Sequence, residues 1–158
     1  MTTNEFYQYC RTHHHALQHV DPRHLYLVSW LSKHPGAIGF QGELFPEVFL
    51  PDRTSMDLAG FYDNAVLIGE VKTKQRKPRA RDELTDFAER LAIREDLNPQ
   101  DISLFYLWTR GSGETAGIFS KRLRETRWKQ REIRLPKAYQ TIENYSPRGN
   151  IHLIARAG

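Results

Sequence analysis

Apolar positions recur along this chain with two different periods, and the period predicts which segments are helices and which are strands. A spacing of three to four residues is typical of a helix with one buried face, whereas alternation or a short continuous apolar run is typical of a strand. On this basis the chain is expected to form helices over about 4–20, 22–34 and 82–96, and extended segments over 37–50, 55–62, 65–73 and 102–109.

Two of the extended segments are predicted to pair as a β-hairpin. MDLAGFY and AVLIGEVKT flank Asp63 and Asn64, which are typical residues of a tight turn. In that register Asp57 lies directly opposite Glu70, and facing residues of paired strands have Cβ atoms about 5 Å apart. Lys72 follows Glu70 by two residues, so both side chains project from the same face of the strand.

The order of the elements predicts the class of fold. Two helices precede a meander of strands, and a helix then leads to ISLFYLWT, an apolar run that suits a strand buried on both sides. This order is typical of an α/β fold in which helices flank a central mixed β-sheet, with Pro46 at a sheet edge or a kink. The 158 residues fit a single domain, 1–158. It would consist of an N-terminal helix over 1–21, a core with the site over 22–109 and a basic C-terminal part over 110–158.

Charge is distributed unevenly along the chain. The total is +4, but residues 1–70 carry a net charge of −4 and residues 71–158 carry +8. Either the basic part binds a polyanion and the acidic part a cation, or the basic side chains only solvate helix faces. Residues 120–134 are predicted as a basic helix and 151–155 as a last strand. The candidate nucleic-acid-binding residues are Lys74, Arg76, Lys77, Arg79, Arg81, Arg127, Trp128 and Lys129.

Composition excludes several classes of protein. Cys10 is the only cysteine of the sequence, so an internal disulfide and a zinc-cysteine cluster are excluded, and a reducing, cytoplasmic location is expected. The first residues lack the pattern of a signal peptide, and the longest aliphatic run is too short for a bilayer, so no membrane partner is expected. His15 and His19 have a spacing that can bind zinc on a helix, but a polar helix face is the simpler interpretation.

The facing carboxylates indicate a metal site. Asp57 and Glu70 would repel each other unless a cation lay between them, and Mg²⁺ (or Mn²⁺) prefers such oxygen ligands. A bound divalent ion can activate a water molecule, and Lys72 can hold a phosphate oxygen. Asp57, Glu70 and Lys72 together are therefore candidate catalytic residues for phosphodiester cleavage. The alternative is an ordinary hairpin in which Glu70 and Lys72 form a solvent-facing ion pair.

Asp57, a 12-residue interval and then Glu70-Val71-Lys72 at the end of an apolar strand resemble the PD-(D/E)XK nuclease superfamily. MDLAGFYDNAVLIGEVKTK is most similar to the archaeal Holliday junction resolvases, and the resemblance covers about 22–109. It implies a restriction endonuclease-like three-layer sandwich in which the Asp and the Glu bind Mg²⁺ and the Lys assists the attacking water. It also implies a metal-dependent endonuclease that cleaves DNA, branched or otherwise structured, in some cases as a homodimer. The alternative is a catalytically inactive nuclease-fold protein that binds nucleic acid or a partner protein.

Two positions depart from the superfamily pattern. The helix before the meander lacks the usual Glu near the metal, and Met56 stands where a Pro usually precedes the Asp. His24 would substitute for the missing acid, or Glu43 or Glu47 would reach in from the next segment. Alternatively, His24 is an ordinary helix residue.

Overall fold

The computed structural model describes residues 1–14, 21–74, 78–110 and 113–142. The elements in chain order are α1 (Thr3–Thr12), α2 (Pro22–Lys33), β1 (Glu43–Phe49), β2 (Ser55–Tyr62), β3 (Ala65–Lys72), α3 (Ala80–Arg94), β4 (Ile102–Trp108), β5 (Thr115–Arg122), β6 (Lys129–Arg134) and α4 (Lys137–Gln140). Short 3₁₀ turns lie at Pro35–Ile38 and Pro99–Asp101.

The strands form one six-stranded sheet in the order β1-β2-β3-β4-β5-β6. All neighbours are antiparallel except β3 and β4, which are parallel because α3 carries the chain back to the start of the next strand. The predicted hairpin is confirmed, since Tyr62 pairs with Ala65 across its turn. Pro46 lies in edge strand β1, where its missing N–H is tolerated.

Helices pack against both faces of the sheet. Alternate residues of β3 belong to two separate apolar clusters, as expected for a strand whose side chains point to opposite faces. Val66 and Ile68 pack in the cluster that contains residues of α1 and α3, whereas Leu67 and Val71 pack in the cluster that contains residues of α2 and α4. The predicted α/β arrangement, a mixed sheet flanked by helices, is thereby confirmed.

The prediction of a basic helix over 120–134 is wrong. This segment contains the end of β5, a turn and β6, which pairs with β5 from Thr115↔Arg134 to Ser120↔Lys129. Lys, Arg, Glu and Gln favour helices intrinsically, but pairing with a neighbouring strand outweighs that modest preference. Leu123 N–H also bonds to Ile102 O at 2.9 Å, which ties the turn to β4.

Other boundaries differ less. The first helix ends at Thr12 instead of Val20, and His14 already bridges to Val48 of β1. The strand predicted over 37–50 begins only at Glu43. The strand predicted over 151–155 and the pair His15 and His19 lie outside the described residues. Among the described residues, no helix is long and apolar enough to cross a membrane.

Candidate metal centre and nucleic-acid surface

The site begins where the β2–β3 ladder stops. The last backbone pair is Leu58↔Gly69, so Asp57 and Glu70 are the next facing residues, in the predicted register. Here Val71 N–H donates to Asp57 Oδ2 at 2.8 Å, so a side chain takes the place of a backbone acceptor. Asp57 is only 7% exposed. This contact fixes one carboxylate between the ends of two strands.

Glu47 lies beside Asp57 on the neighbouring strand. The pairs Pro46↔Leu58 and Val48↔Met56 place Glu47 opposite Asp57. Glu47 is 1% exposed, and its φ of 50° is in the left-handed region, which non-glycine residues seldom adopt. Such a conformation costs on the order of 1 kcal/mol or more and is concentrated at functional sites. A buried carboxylate in a strained backbone therefore adjoins the hairpin carboxylate.

His24 connects these two carboxylates. Its Nδ1 lies 3.4 Å from Glu47 Oε1, and its Nε2 lies 3.3 Å from Asp57 Oδ2. Asp21 caps α2, the helix that carries His24, by accepting from Arg23 N–H at 3.0 Å. Asp21 Oδ2 also accepts from the hydroxyl of Thr73 at 3.2 Å, which attaches the start of α2 to the end of β3.

Glu70 and Lys72 form the other side of the site. Lys72 Nζ lies 3.0 Å from Glu70 Oε1, and both side chains are about one-third exposed, so the ion pair is partly buried and partly open to solvent. Burial and the neighbouring Asp57 raise the pKa of Glu70 to about 7, against the opposing effect of Lys72. Burial alone would lower the pKa of Lys72, but Glu70 and Asp57 raise it above its usual value. Lys72 is therefore a cation at neutral pH.

Buried polar residues are concentrated at this end of the sheet. Burying a polar side chain is costly without partners, so such a concentration indicates a site rather than packing. Thr109 belongs to it because its N–H bonds to Lys72 O at 3.0 Å. In the described part of the chain, the buried polar and charged residues are His24, Glu47, Asp57, Thr73 and Thr109.

The arrangement can hold a metal ion. His24, Glu47 and Asp57 each offer one ligand atom, and these atoms lie within 4.8 Å of one another. Ligands about 2.1 Å from a divalent ion lie at most about 4.2 Å apart, so small side-chain rotations suffice. One imidazole and two carboxylates offer both nitrogen and oxygen ligands, so the group is not restricted to Mg²⁺, which takes oxygen ligands.

The structure selects among the additional ligand candidates. His24 and Glu47 both reach Asp57, whereas Glu43 does not. Glu43 pairs with Phe61 and accepts from the Tyr7 hydroxyl at 2.9 Å. Glu43 and Glu47 are four positions apart along the strand, which is about 13 Å. Glu70 lies outside the His24 group, next to Asp57, and is paired with Lys72.

The sequence has two basic segments, 72–81 and 121–134, and described residues of both meet at Trp128. The Arg81 guanidinium lies 4.2 Å from the centre of the Phe119 ring and 5.9 Å from that of Trp128. Lys121 Nζ lies 5.2 Å from the Trp128 ring. The other described candidates, Lys74, Arg79, Arg127 and Lys129, are exposed, and Arg76 and Lys77 lie outside the described residues.

Two residues beside the site were not among the predicted candidates. Tyr106 pairs with Glu70 and Trp108 with Lys72 across the parallel β3–β4 ladder. In the sequence, ISLFYLWT shows only the pattern of a buried strand. Asp21 is likewise visible as a helix cap, but its contact with Thr73 is not.

No protein-family profile matches this chain, and neither a curated protein nor a solved structure matches it. The function is therefore inferred from the geometry and chemistry of these side chains.

Proposed function

We propose that this protein is a metal-dependent endonuclease of the PD-(D/E)XK type that hydrolyses phosphodiester bonds of DNA. The observation that carries the proposal is the convergence of Asp57, Glu70 and Lys72 at the end of the β2–β3 hairpin. The chain order of α2, the β1–β3 meander, α3 and a parallel β4 is also the order that the resemblance implies.

His24, Glu47 and Asp57 would hold the ion, with Glu70 adjacent to Asp57. When bound, the ion acidifies a water molecule and stabilises charge on the phosphoryl oxygens. Because the ligands include both nitrogen and oxygen, Mn²⁺ is expected to support activity in addition to Mg²⁺.

The residues of the chain have separate tasks. Lys72 is held by Glu70 at 3.0 Å, so its charge is oriented before the substrate arrives. A preorganised ammonium group stabilises the charge that develops on a phosphoryl oxygen during attack. Asp57, fixed by the Val71 N–H, keeps its carboxylate in place on the opposite strand. Asp21 acts through His24 and is a positioning residue.

The substrate is proposed to be DNA because a basic and aromatic surface adjoins the site. The side chains of Glu70, Tyr106 and Phe119 follow one another across β3, β4 and β5, and Arg81 lies over Phe119. A backbone of phosphates bound along this surface would pass Lys72. Branched DNA and a homodimer that cuts two strands are the finer expectations from the resemblance.

A cleavage panel tests the proposal. The protein is incubated with plasmid, linear duplex, single-stranded and branched DNA and with RNA, with Mn²⁺, with Mg²⁺ and with EDTA. Lys72→Ala is tested beside Lys33→Ala, an exposed lysine at the end of α2 that serves as the matched control. Metal-dependent cleavage that Lys72→Ala loses and Lys33→Ala keeps is expected. Absence of cleavage in every condition, or full activity of Lys72→Ala, contradicts the proposal.

A second candidate is a catalytically inactive nuclease-fold protein that binds nucleic acid or a partner protein. The observation in its favour is that His24 contacts both Glu47 and Asp57, so the imidazole can take the place of an ion. Titration with Mn²⁺ by calorimetry separates the candidates. No Mn²⁺ binding, together with DNA binding in EDTA, favours the inactive protein.

A further inference from the structure

A cavity of about 360 Å³ opens on the strand next to the one that carries Glu70 and Lys72. Tyr106 and Trp108 line it, and these are the β4 partners of Glu70 and Lys72. Paired strands lie about 4.8 Å apart, so the cavity begins one strand away from Glu70 and Lys72.

The cavity floor is made of two rows of side chains that continue across the sheet. One row runs from Tyr106 to Phe119 and Gln130, and the other from Trp108 to Gly117 and Glu132. Gly117 has no side chain, which deepens the floor between larger neighbours. The floor thus spans β4 to β6, about 10 Å.

Flat surfaces with fixed positions bound the cavity. The Trp108 indole N–H donates to Lys74 O at 3.0 Å, which holds the ring toward the end of β3. The guanidinium of Arg81 stacks over the Phe119 ring at 4.2 Å. Aromatic rings and guanidinium planes are the surfaces on which unstacked bases lie in nucleic-acid complexes. Gln130 and Glu132 offer hydrogen-bonding groups at the β6 side of the floor.

We propose that this cavity binds one unstacked nucleobase of the strand that is cleaved. The base stacks against Trp108 and the Arg81 guanidinium, and Gln130 and Glu132 meet its hydrogen-bonding edge. This inference rests on the proposed nuclease function and deepens it, because it defines the substrate class. The substrate is DNA in which a nucleotide beside the scissile phosphate is unpaired, as at a branch or a bulge.

Three observations favour a nucleobase over another occupant. The cavity adjoins the residues proposed to act on a phosphate, and base and phosphate belong to one nucleotide. Its volume is at the lower end of the range for small-ligand pockets, which suits one heterocycle. Two cations, Arg81 and Arg110, also line it against one carboxylate, Glu132, and this excess of positive charge favours a ligand attached to an anionic backbone.

Binding in EDTA tests the inference without any need for catalysis. A fluorescent duplex with one unpaired nucleotide is compared by anisotropy with the same duplex carrying an abasic sugar at that position. Stacking of a base on an aromatic side chain is typically worth roughly a 5- to 150-fold change in affinity. The wild type is expected to prefer the base-containing duplex by an amount within that range.

Gly117→Leu is the variant that fills the cavity. A Cβ at this position would meet Phe119 Cε2 at 3.6 Å and Trp108 O at 3.8 Å, which are ordinary contacts, so the backbone accepts a side chain. The variant is expected to lose the preference for the base. Gly36→Leu is the matched control, because a Cβ there meets nothing within 4 Å, and it should keep the preference. If Gly117→Leu fails to fold, Trp108→Ala replaces it and should also lose the preference.

The outcomes separate this inference from the proposed function. Equal affinity of the wild type for the two duplexes, or a preference that survives in Gly117→Leu and Trp108→Ala, overturns the base pocket. Cleavage of DNA with Mn²⁺ is measured separately, so a protein that cuts without any base preference refutes only the pocket. A protein that shows the base preference but never cuts refutes only the nuclease.

Discussion

The two halves of the sheet differ in what they hold at the same end. Strands β1–β3, with α2, bury charged groups, since Glu47 is 1% and Asp57 7% exposed. Strands β4–β6 carry aromatic rings and exposed basic residues, with Phe119 beneath Arg81. Under the proposed function, the β1–β3 half would hold the metal ion and the reacting groups, and the β4–β6 half would bind the phosphate backbone and the bases of the DNA.

The two halves meet at the one parallel pair of the sheet. Because β3 and β4 run in the same direction, their C-terminal ends lie together, and Lys72 is beside Trp108. Antiparallel pairing would place the start of β4 beside the end of β3 and separate these two side chains. The α3 crossover thus determines which groups surround the site. Variants in one half should change chemistry and metal binding, and variants in the other should change affinity.

The largest effect is expected from Lys72→Ala and Asp57→Asn. Each removes a group that acts on the transition state or holds the ion, so kcat should fall by about 10² to 10⁴. Asn can still accept from the Val71 N–H, so the fold should persist. Single-turnover cleavage and DNA affinity are measured on each variant. Equal losses in affinity and in kcat would mean that this half holds the DNA rather than cleaving it.

The next effect concerns stability without metal. His24→Ala leaves Glu47 and Asp57 buried without their imidazole partner, and breaking such a contact typically costs about 3 to 5 kcal/mol. Because His24 is also one of the proposed ligands, the variant should bind Mn²⁺ more weakly than the wild type, so the loss in free energy of unfolding should grow when Mn²⁺ is added. Urea unfolding in EDTA and in Mn²⁺ measures both values. His34→Ala, an exposed histidine just after α2, is the control and should lose much less. A loss that is the same with and without Mn²⁺ would show that no ion binds there.

A smaller effect is expected from pH. The fold raises the pKa of Glu70 from 4.5 to about 7, chiefly by burial and by Asp57, so the protonated form is favoured in the folded state. The stabilisation that the protonated Glu70 provides is complete below about pH 4.5 and is lost as the pH rises through about 7. The metal-free protein therefore becomes less stable by at most about 3 kcal/mol over this range.

Glu70→Gln should remove this pH dependence in EDTA. The free energy of unfolding of the variant should equal that of the wild type near pH 4.5 and be higher near pH 8. Loss of the ion pair with Lys72 reduces this gain. Unfolding free energies measured across this range provide the comparison. If stability of the wild type instead rises with pH and Glu70→Gln abolishes the rise, Glu70 is stabilised as an anion and the stated direction is wrong.

The first half of the sheet was predictable because its signals are local. Asp63 and Asn64 form a turn between two apolar segments, and the turn determines the register that brings Asp57 and Glu70 together. His24 and Glu47 remained alternatives among others, because their approach depends on how α2 docks. That docking involves contacts between distant parts of the chain, such as the one between Asp21 and Thr73, 52 positions apart in the sequence.

The second half was not predictable in the same way. In 120–134 the apolar positions are few, and most of β6 is exposed at the sheet edge, so alternation is masked by charge. Trp108 adjoins Lys72 only because α3 returns the chain to pair in parallel. Its indole bond to Lys74 joins residues 34 positions apart. Local patterns contain no information about such long-range pairing.

The smallest expected effect decides whether the basic residues of the second half bind phosphates at all. Arg127→Ala with Lys129→Ala removes two exposed charges beside Trp128, and on duplex DNA each lost phosphate contact flattens the slope of log K against log salt by about 0.9. The double variant should therefore flatten the slope by about one to two units, as should Arg76→Ala with Lys77→Ala. Arg11→Ala with Lys33→Ala removes two exposed charges elsewhere and should leave the slope unchanged.

Charged residues on an edge strand also prevent pairing with another sheet, so Lys129 has an alternative role. An unchanged slope in the Arg127 and Lys129 variant, with self-association in sedimentation, would assign these charges to edge protection and leave DNA contact to the first basic segment.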